Sequence, residues 1–158
     1  MTFIHKPPDT LKSLIKGIQF AMLTTRDHNG ILHSRPMVTQ EEEGEDLWFF
    51  TESDTHKATD IVANPNINLS YSDPGSHRYV SVSGWAEIID GRALMQKRWL
   101  PAYAEWMPLG LDGPKMTLLK VVVVRVDFWE MSSIWRGHTL GSSDGASNSE
   151  HYEGKHTS

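Results

Sequence analysis

Short runs in which apolar and polar residues alternate recur along most of the chain. This period of two is typical of β-strands that bury one face, and turn residues such as Asn29 and Gly30 separate the runs. One continuous apolar run, 121–124, predicts burial on both faces. Six strands follow from the pattern, over residues 20–25, 31–39, 47–50, 66–72, 79–89 and 116–129. The predicted fold is therefore mainly β.

Three stretches follow a helical period instead. Leu11, Leu14, Ile15 and Ile18 form an i, i+3, i+4, i+7 stripe, which indicates a short amphipathic helix. A second helix is expected to begin near residue 55 and a third near residue 90. Since each is short beside the strands, we expect peripheral helices around one sheet.

Composition fits a single domain. The chain has 158 residues, of which 39% are hydrophobic, enough for one core of its own. Residues 140–158 are rich in Ser, Gly, Asn and His without an apolar period, so we expect a domain over residues 1–139 and a flexible C-terminal tail over 140–158.

Charge and residue usage exclude several classes of function. A formal net charge of −5 leaves no broad basic surface, so nucleic acid is not an expected partner. The chain has no cysteine, which excludes disulfides and thiolate chemistry. Its eight histidines are scattered, and no metal site is expected. No signal peptide or membrane-spanning segment is recognisable, so the expected location is the cytoplasm and no membrane is an expected partner.

The corner at residues 50–57 is the main candidate for chemistry. An apolar strand runs into a hydroxyl-rich turn that opens a helix, and the first turn of a helix presents unpaired N–H groups to anions. Lys57 there opposes the helix dipole, at a cost of a few tenths to about 1 kcal/mol unless an anion is bound. Thr51, Ser53 and Thr55 offer hydroxyl groups to such an anion. The alternative is that Asp54 or Thr55 caps the helix and Lys57 is solvated.

Two strands carry further polar signals. Pro36 interrupts the second strand and indicates an edge, a bulge or a ligand beside it. Along the fifth strand Tyr79, Ser81 and Ser83 share one face, which either meets solvent or lines a polar site.

The order of these segments resembles the pyridoxamine-phosphate-oxidase-like FMN-binding split barrels. In those oxidases an aromatic-Thr pair is followed by three variable residues and Ser-Arg-Lys; here Thr51, Thr55 and Lys57 match, while His56 replaces the arginine. The segments 33–38 and 79–84 are similar to the family's other flavin-contacting strands. The general stress protein branch is the most similar, and the resemblance covers about residues 8–130.

This resemblance implies a six-stranded antiparallel split β-barrel that forms a homodimer with FMN at the interface. Lys57 would bind the FMN phosphate. The cofactor-binding residues that it implies are Ser34, Arg35, Pro36, Met37, Phe50, Thr51, Ser53, Thr55, His56, Lys57, Tyr79, Ser81 and Trp129.

The chain departs from the true oxidases after Trp129. Their Arg-x-His motif is missing from residues 130–136, so vitamin B6 oxidation is not expected and no catalytic residue is assigned. A flavin-dependent oxidoreductase with an unknown small substrate is the expected activity. The alternatives are a non-catalytic flavin-binding or stress-sensing module, and a barrel for deazaflavin or haem, with His33 or His77 as conceivable haem ligands.

Overall fold

The structure of the protein is a computed structural model that describes residues 11–40, 44–113, 115–131, 134–140 and 149–155. Eight strands and three α-helices are present within these ranges, with two short 3₁₀ turns at Pro101–Glu105 and Gly110–Asp112. The helices are α1 Leu11–Ile15, α2 His56–Ala63 and α3 Arg92–Arg98. The strands are β1 Phe20–Arg26, β2 Leu32–Val38, β3 Leu47–Glu52, β4 Asn66–Asp73, β5 Arg78–Ile89, β6 Met116–Met131, β7 Ile134–Leu140 and β8 Ser149–Lys155.

All strand pairs are antiparallel, and their order is β2-β1-β4-β5-β6-β7-β8, with β3 paired to β6. The long strand β6 joins the two parts: residues 116–121 pair with β3, and residues 126–131 pair with β7. At the far edge, the backbone N–H of Gln40, just after β2, donates to the carbonyl of Trp48 in β3 at 3.0 Å. This contact brings the two edges together, and β1–β6 form the predicted six-stranded split barrel.

The barrel interior holds the main core. Alternate residues of β1, β4 and β5 point inward, so the period of two in the sequence matches the burial pattern. A second, smaller cluster lies outside β3 and β6, where α3 and the first 3₁₀ turn cover Trp48 and Phe50. Side chains that are almost completely buried in the main core are Ala21, Leu23, Phe49, Leu69, Tyr71, Val80, Val82, Leu119 and Val121.

The valine run in β6 does not behave as predicted. Val121 is buried, but the side chain of Val124 is 49% exposed, so the prediction of burial on both faces is wrong for this position. The physical reason is a β-bulge: Ser83 pairs with Arg125 and Gly84 with Val123, which leaves Val124 as the extra residue.

The C-terminal region contains strands that the sequence did not indicate. Strand β7 pairs with the end of β6, and β8 pairs with β7. Residues 141–148 and 156–158 lie outside the described residues, so the proposed division between a domain at 1–139 and a flexible tail at 140–158 stays a prediction. Across the described part of the chain, no helix is both long and apolar enough to cross a membrane.

Candidate functional site

The corner between β3 and α2 leaves the start of the helix without a side-chain cap. Thr55 occupies the N-cap position with extended backbone, yet its hydroxyl donates back to the carbonyl of Glu52 at 2.9 Å. The Asp54 carboxylate instead accepts from the Lys115 ammonium at 2.9 Å. Both side chains that could have capped the helix are therefore engaged elsewhere, so the N–H groups of the first turn remain available to an anion.

Lys57 lies in that first turn and folds back over the end of β3. Its Nζ donates to Oγ1 of Thr51 at 2.6 Å, and the Thr51 side chain is itself buried. Burial lowers the pKa of Lys57 from its ordinary value, the neighbouring charge of Arg35 lowers it further, and Glu52 acts weakly in the opposite direction. The surroundings of Lys57 therefore disfavour its charged form. A lysine that simply points into solvent would not be disfavoured in this way.

Arg35 reaches the same end of the barrel from β2. Its Nη1 donates to Oγ1 of Thr25 at 2.6 Å and to the carbonyl of Leu23 at 3.3 Å. Oγ1 of Thr25 donates in turn to the carboxylate of Asp60 on α2 at 3.4 Å. Burial lowers the pKa of Arg35, and Asp60 only partly offsets that effect.

Arg35 and Lys57 together form what we call the cation pair. Each is partly buried, and the charge of Arg35 disfavours that of Lys57, so the pair is costly in the absence of a ligand. A dianionic phosphate would accept hydrogen bonds from both side chains and from the free N–H groups of α2, and would remove the repulsion. The residues therefore fit a phosphate group.

The other predicted site residues lie in different parts of the structure. Met37 lies in the barrel core, and the ring of Phe50 packs in the second cluster against Trp99, with centroids 5.2 Å apart. His56 begins α2 and is exposed, while the backbone N–H of Ser53 donates to Lys115. The structure thus brings together Arg35, Thr51 and Lys57 at the corner, with Ser53, Thr55 and His56 beside them.

Five of the predicted residues lie on or along the outer face of the sheet. The hydroxyl of Ser34 is 2.6 Å from that of Thr24, and the hydroxyl of Ser81 accepts from the Asn68 amide at 2.9 Å. Tyr79 pairs with Trp129 across β5 and β6. The members of this outer set are Ser34, Pro36, Tyr79, Ser81 and Trp129.

Sequence reasoning missed Thr25 and Asp60. Thr25 stands in the inward phase of β1, where the other positions are apolar, and it is 1% exposed. The signal available in the sequence was a hydroxyl residue at a position where the alternation of the strand predicts an apolar one. Asp60 follows Lys57 by three residues on α2, a spacing that places both on one side of a helix.

The histidines considered for haem have other surroundings. Nε2 of His33 lies 2.9 Å from the carboxylate of Asp27, and this contact lowers the pKa of Asp27. His77 adopts a positive φ of 53° in the turn before β5. Among the residues that the structure describes, no group of three or more His, Asp or Glu side chains could hold a metal ion.

Fold and site together define a split barrel with a cationic corner at the start of α2. The chain belongs to the family described as pyridoxamine 5'-phosphate oxidase like, whose model matches residues 6–140. A curated relative, general stress protein 26 of Bacillus subtilis, is 35% identical over 92 residues, or 56% of this chain and 64% of that protein. The matches to curated relatives cover 62% and 64% of those proteins. The predicted family is thereby confirmed.

Solved structures show the same fold. A Clostridium acetobutylicum protein described as related to general stress protein 26 superposes with a TM-score of 0.73 at 21% identity, over 84% of this chain and 92% of that chain. A Nostoc punctiforme protein described as pyridoxamine 5'-phosphate oxidase-related and FMN-binding gives 0.63 at 20% identity, over 85% and 86%.

We expect inorganic phosphate to stabilise the flavin-free protein through the cation pair. Phosphate at ten times its dissociation constant would add about 1.4 kcal/mol to the free energy of unfolding and raise the melting temperature by a few degrees. Thermal melts in phosphate and in chloride of equal ionic strength measure this. The phosphate effect should be much smaller in Lys57→Ala, where only Arg35 and the N–H groups of α2 remain, and unchanged in Lys97→Ala, since Lys97 is exposed on α3. Equal effects in all three proteins would contradict the site.

Proposed function

We propose that this protein binds FMN and acts as a flavoprotein of the general stress protein type. The observation that carries the proposal is the cation pair of Arg35 and Lys57 at an uncapped helix N-terminus. Two partly buried cations that oppose each other are a costly arrangement for stability alone and a useful one for a phosphate monoester. The family membership and the description of the Nostoc structure as FMN-binding support the choice of FMN.

Each residue near the corner has a distinct part in this proposal. Lys57 and Arg35 hold the phosphate, and the Ser53 hydroxyl and the backbone N–H groups of the first turn of α2 complete its hydrogen bonds. The Thr55 hydroxyl donates to the Glu52 carbonyl and so fixes the turn before α2. Thr51 positions the Lys57 ammonium through the 2.6 Å hydrogen bond. Thr25 and Asp60 hold the Arg35 guanidinium in place.

The outer face of the sheet would take the rest of the flavin together with a second copy of the chain. Four apolar side chains on this face are 40–49% exposed: Phe20, Met22, Trp85 and Val124. They lie on the same face of the sheet as the hydroxyl groups of the outer set. An apolar surface that also carries polar groups is suited to a homodimer that encloses an amphipathic ligand.

A bound flavin would supply reversible acceptance of one or two electrons. The chain's own contribution is binding, orientation and exclusion of water, and we assign no side chain as a general acid or base. The proposed activity is therefore a flavin-dependent oxidoreduction of an unknown small molecule.

The visible absorption of freshly purified protein tests the proposal first. We expect the bands of oxidised flavin at about one flavin per chain, and titration of the flavin-free form should show FMN bound at least about tenfold more tightly than riboflavin, because riboflavin lacks the phosphate. Protein that is colourless and binds neither FMN nor riboflavin would overturn the proposal. Reduction of bound FMN by NADH or NADPH then separates an enzyme from a flavin-binding module without turnover.

A further inference from the structure

Lys115 lies beside the turn that leads into α2, with a backbone conformation that is costly for a lysine. Its φ is 66°, in the left-handed region that disfavours side chains and that glycine adopts freely. The N–H of Ser53 donates to the carbonyl of Lys115 at 2.8 Å and continues the ladder in which Glu52 pairs with Met116. The backbone of Lys115 is thereby fixed next to the turn. Stability alone would favour glycine at this position.

The side chain of Lys115 forms an ion pair with Asp54. Its Nζ donates to Oδ2 of Asp54 at 2.9 Å, and this hydrogen bond is the main reason why the pKa of Asp54 is lowered. Both side chains are half exposed or more, and ion pairs in such surroundings contribute little to stability. The ion pair therefore does not offset the cost of a lysine with a positive φ, and the lysine calls for another explanation.

That explanation lies in the position of Asp54 at the start of α2. Asp54 precedes the N-cap residue Thr55, and the positive end of a helix attracts a carboxylate as readily as a phosphate. A free Asp54 would compete for the N–H groups of the first turn and would repel a bound dianion. The ion pair with Lys115 neutralises Asp54 and directs it away from those groups.

The neighbouring carboxylates have other partners. Asp60 accepts from the hydroxyl of Thr25 at 3.4 Å, and the charge of Glu52 favours the charged form of Lys57. Asp54 is thus the carboxylate of this corner whose neutralisation depends on a residue outside β3, α2 and the cation pair.

We infer that Lys115 is a positioning residue for the phosphate site, because it holds and neutralises Asp54. The start of α2 then accepts the phosphate of a ligand and not a carboxylate of its own chain. Lys115 acts through Asp54 and is not assigned a contact with the phosphate. The inference rests on the proposed function, since it gives Lys115 a part in the same site.

Lys115→Gly separates this role from a purely structural one, because glycine removes the ion pair and the backbone strain together. We expect FMN affinity to fall about fivefold at low ionic strength, since an unneutralised carboxylate then faces the dianion. Riboflavin affinity and the free energy of unfolding in urea should not fall. Titration of the flavin-free full chain with each flavin measures the change. A structural role alone would give lower stability and equal losses for the two flavins.

A second substitution tests whether Lys115 acts through Asp54. Asp54→Asn added to Lys115→Gly should restore FMN affinity to nearly the wild-type value, because no free carboxylate remains. Asp73→Asn added to Lys115→Gly is the matched control: it removes the same charge at the end of β4, which pairs with Arg78, and should restore nothing. Lys115→Arg should keep the wild-type affinity, since a guanidinium also pairs with a carboxylate.

Thermal melts in phosphate and in chloride, made on the same variants, detect the site without flavin and should give the same order. Wild-type FMN affinity in Lys115→Gly, or a loss that Asp54→Asn does not restore, would overturn the inference. The proposed function would still stand if Lys57→Ala weakened FMN binding. Wild-type protein that binds neither FMN nor phosphate would overturn both.

Discussion

Lys57→Ala is expected to lower the affinity for FMN by roughly 10-fold to 150-fold. The substitution removes a charge-assisted hydrogen bond to the proposed phosphate position, a contact worth about 1.5 to 3 kcal/mol. Arg35 and the N–H groups of α2 remain, so binding is weakened and not abolished. Titration of the flavin-free protein with FMN, followed by quenching of flavin fluorescence, measures the change.

Riboflavin and a distant lysine provide the controls for this result. Riboflavin has no phosphate, so Lys57→Ala should leave its affinity nearly unchanged. Lys97→Ala removes the same charge from an exposed position on α3 and should leave the FMN affinity at the wild-type value. Unchanged FMN affinity in Lys57→Ala, or an equal loss in both variants, would show that Lys57 does not hold the phosphate.

The pH dependence of FMN affinity follows from the lowered pKa of Lys57. Below that pKa the ammonium is charged and binds the phosphate; as the pH rises through it, the charge and its contribution are lost. Bound phosphate stabilises the ammonium and raises its pKa again. The FMN affinity should therefore begin to decline as the pH rises through the lowered pKa of the flavin-free protein, which lies below the ordinary lysine value of 10.5. Lys57→Ala should lack this decline.

Much of the fold follows from local pattern. Strands β1 to β6 coincide with six runs of alternating residues, and α2 begins where the hydroxyl-rich turn ends. The corner was predictable because its signal is also local: a lysine in the first turn of a helix, directly after a strand. Thr51 and Lys57, six residues apart, both belong to this segment, although the sequence did not predict the hydrogen bond between them.

Contacts between distant segments were not predictable in the same way. The place of Arg35 beside Lys57 depends on β2 closing against β3 through Gln40 and Trp48, and nothing local sets that register. The polar chain from Arg35 through Thr25 to Asp60 joins three elements. Strand β8 lacks an apolar period, so nothing in the sequence of residues 140–158 indicated that this strand pairs with β7.

The bulge in the β5–β6 pair also depends on tertiary structure, and it makes Gly84→Ala the substitution with the largest expected effect on stability. A Cβ built on Gly84 would lie 2.1 Å from the carbonyl oxygen of Val122 and 3.1 Å from its carbonyl carbon. Both are backbone atoms of the central pair of the sheet, so they cannot turn aside as a flexible side chain would. We expect the free energy of unfolding, measured by urea denaturation, to fall by about 3 kcal/mol.

Gly75→Ala is the matched control for this prediction. Gly75 lies in the exposed turn between β4 and β5, where a Cβ would meet only the Asp73 carboxylate at an ordinary 3.5 Å. Its effect should stay within about 0.5 kcal/mol. A Gly84→Ala protein as stable as Gly75→Ala would mean that β6 can shift away from β5. Because the bulge also turns Val124 outward, such a shift would move the apolar face proposed for the second copy, and loss of dimer would accompany it.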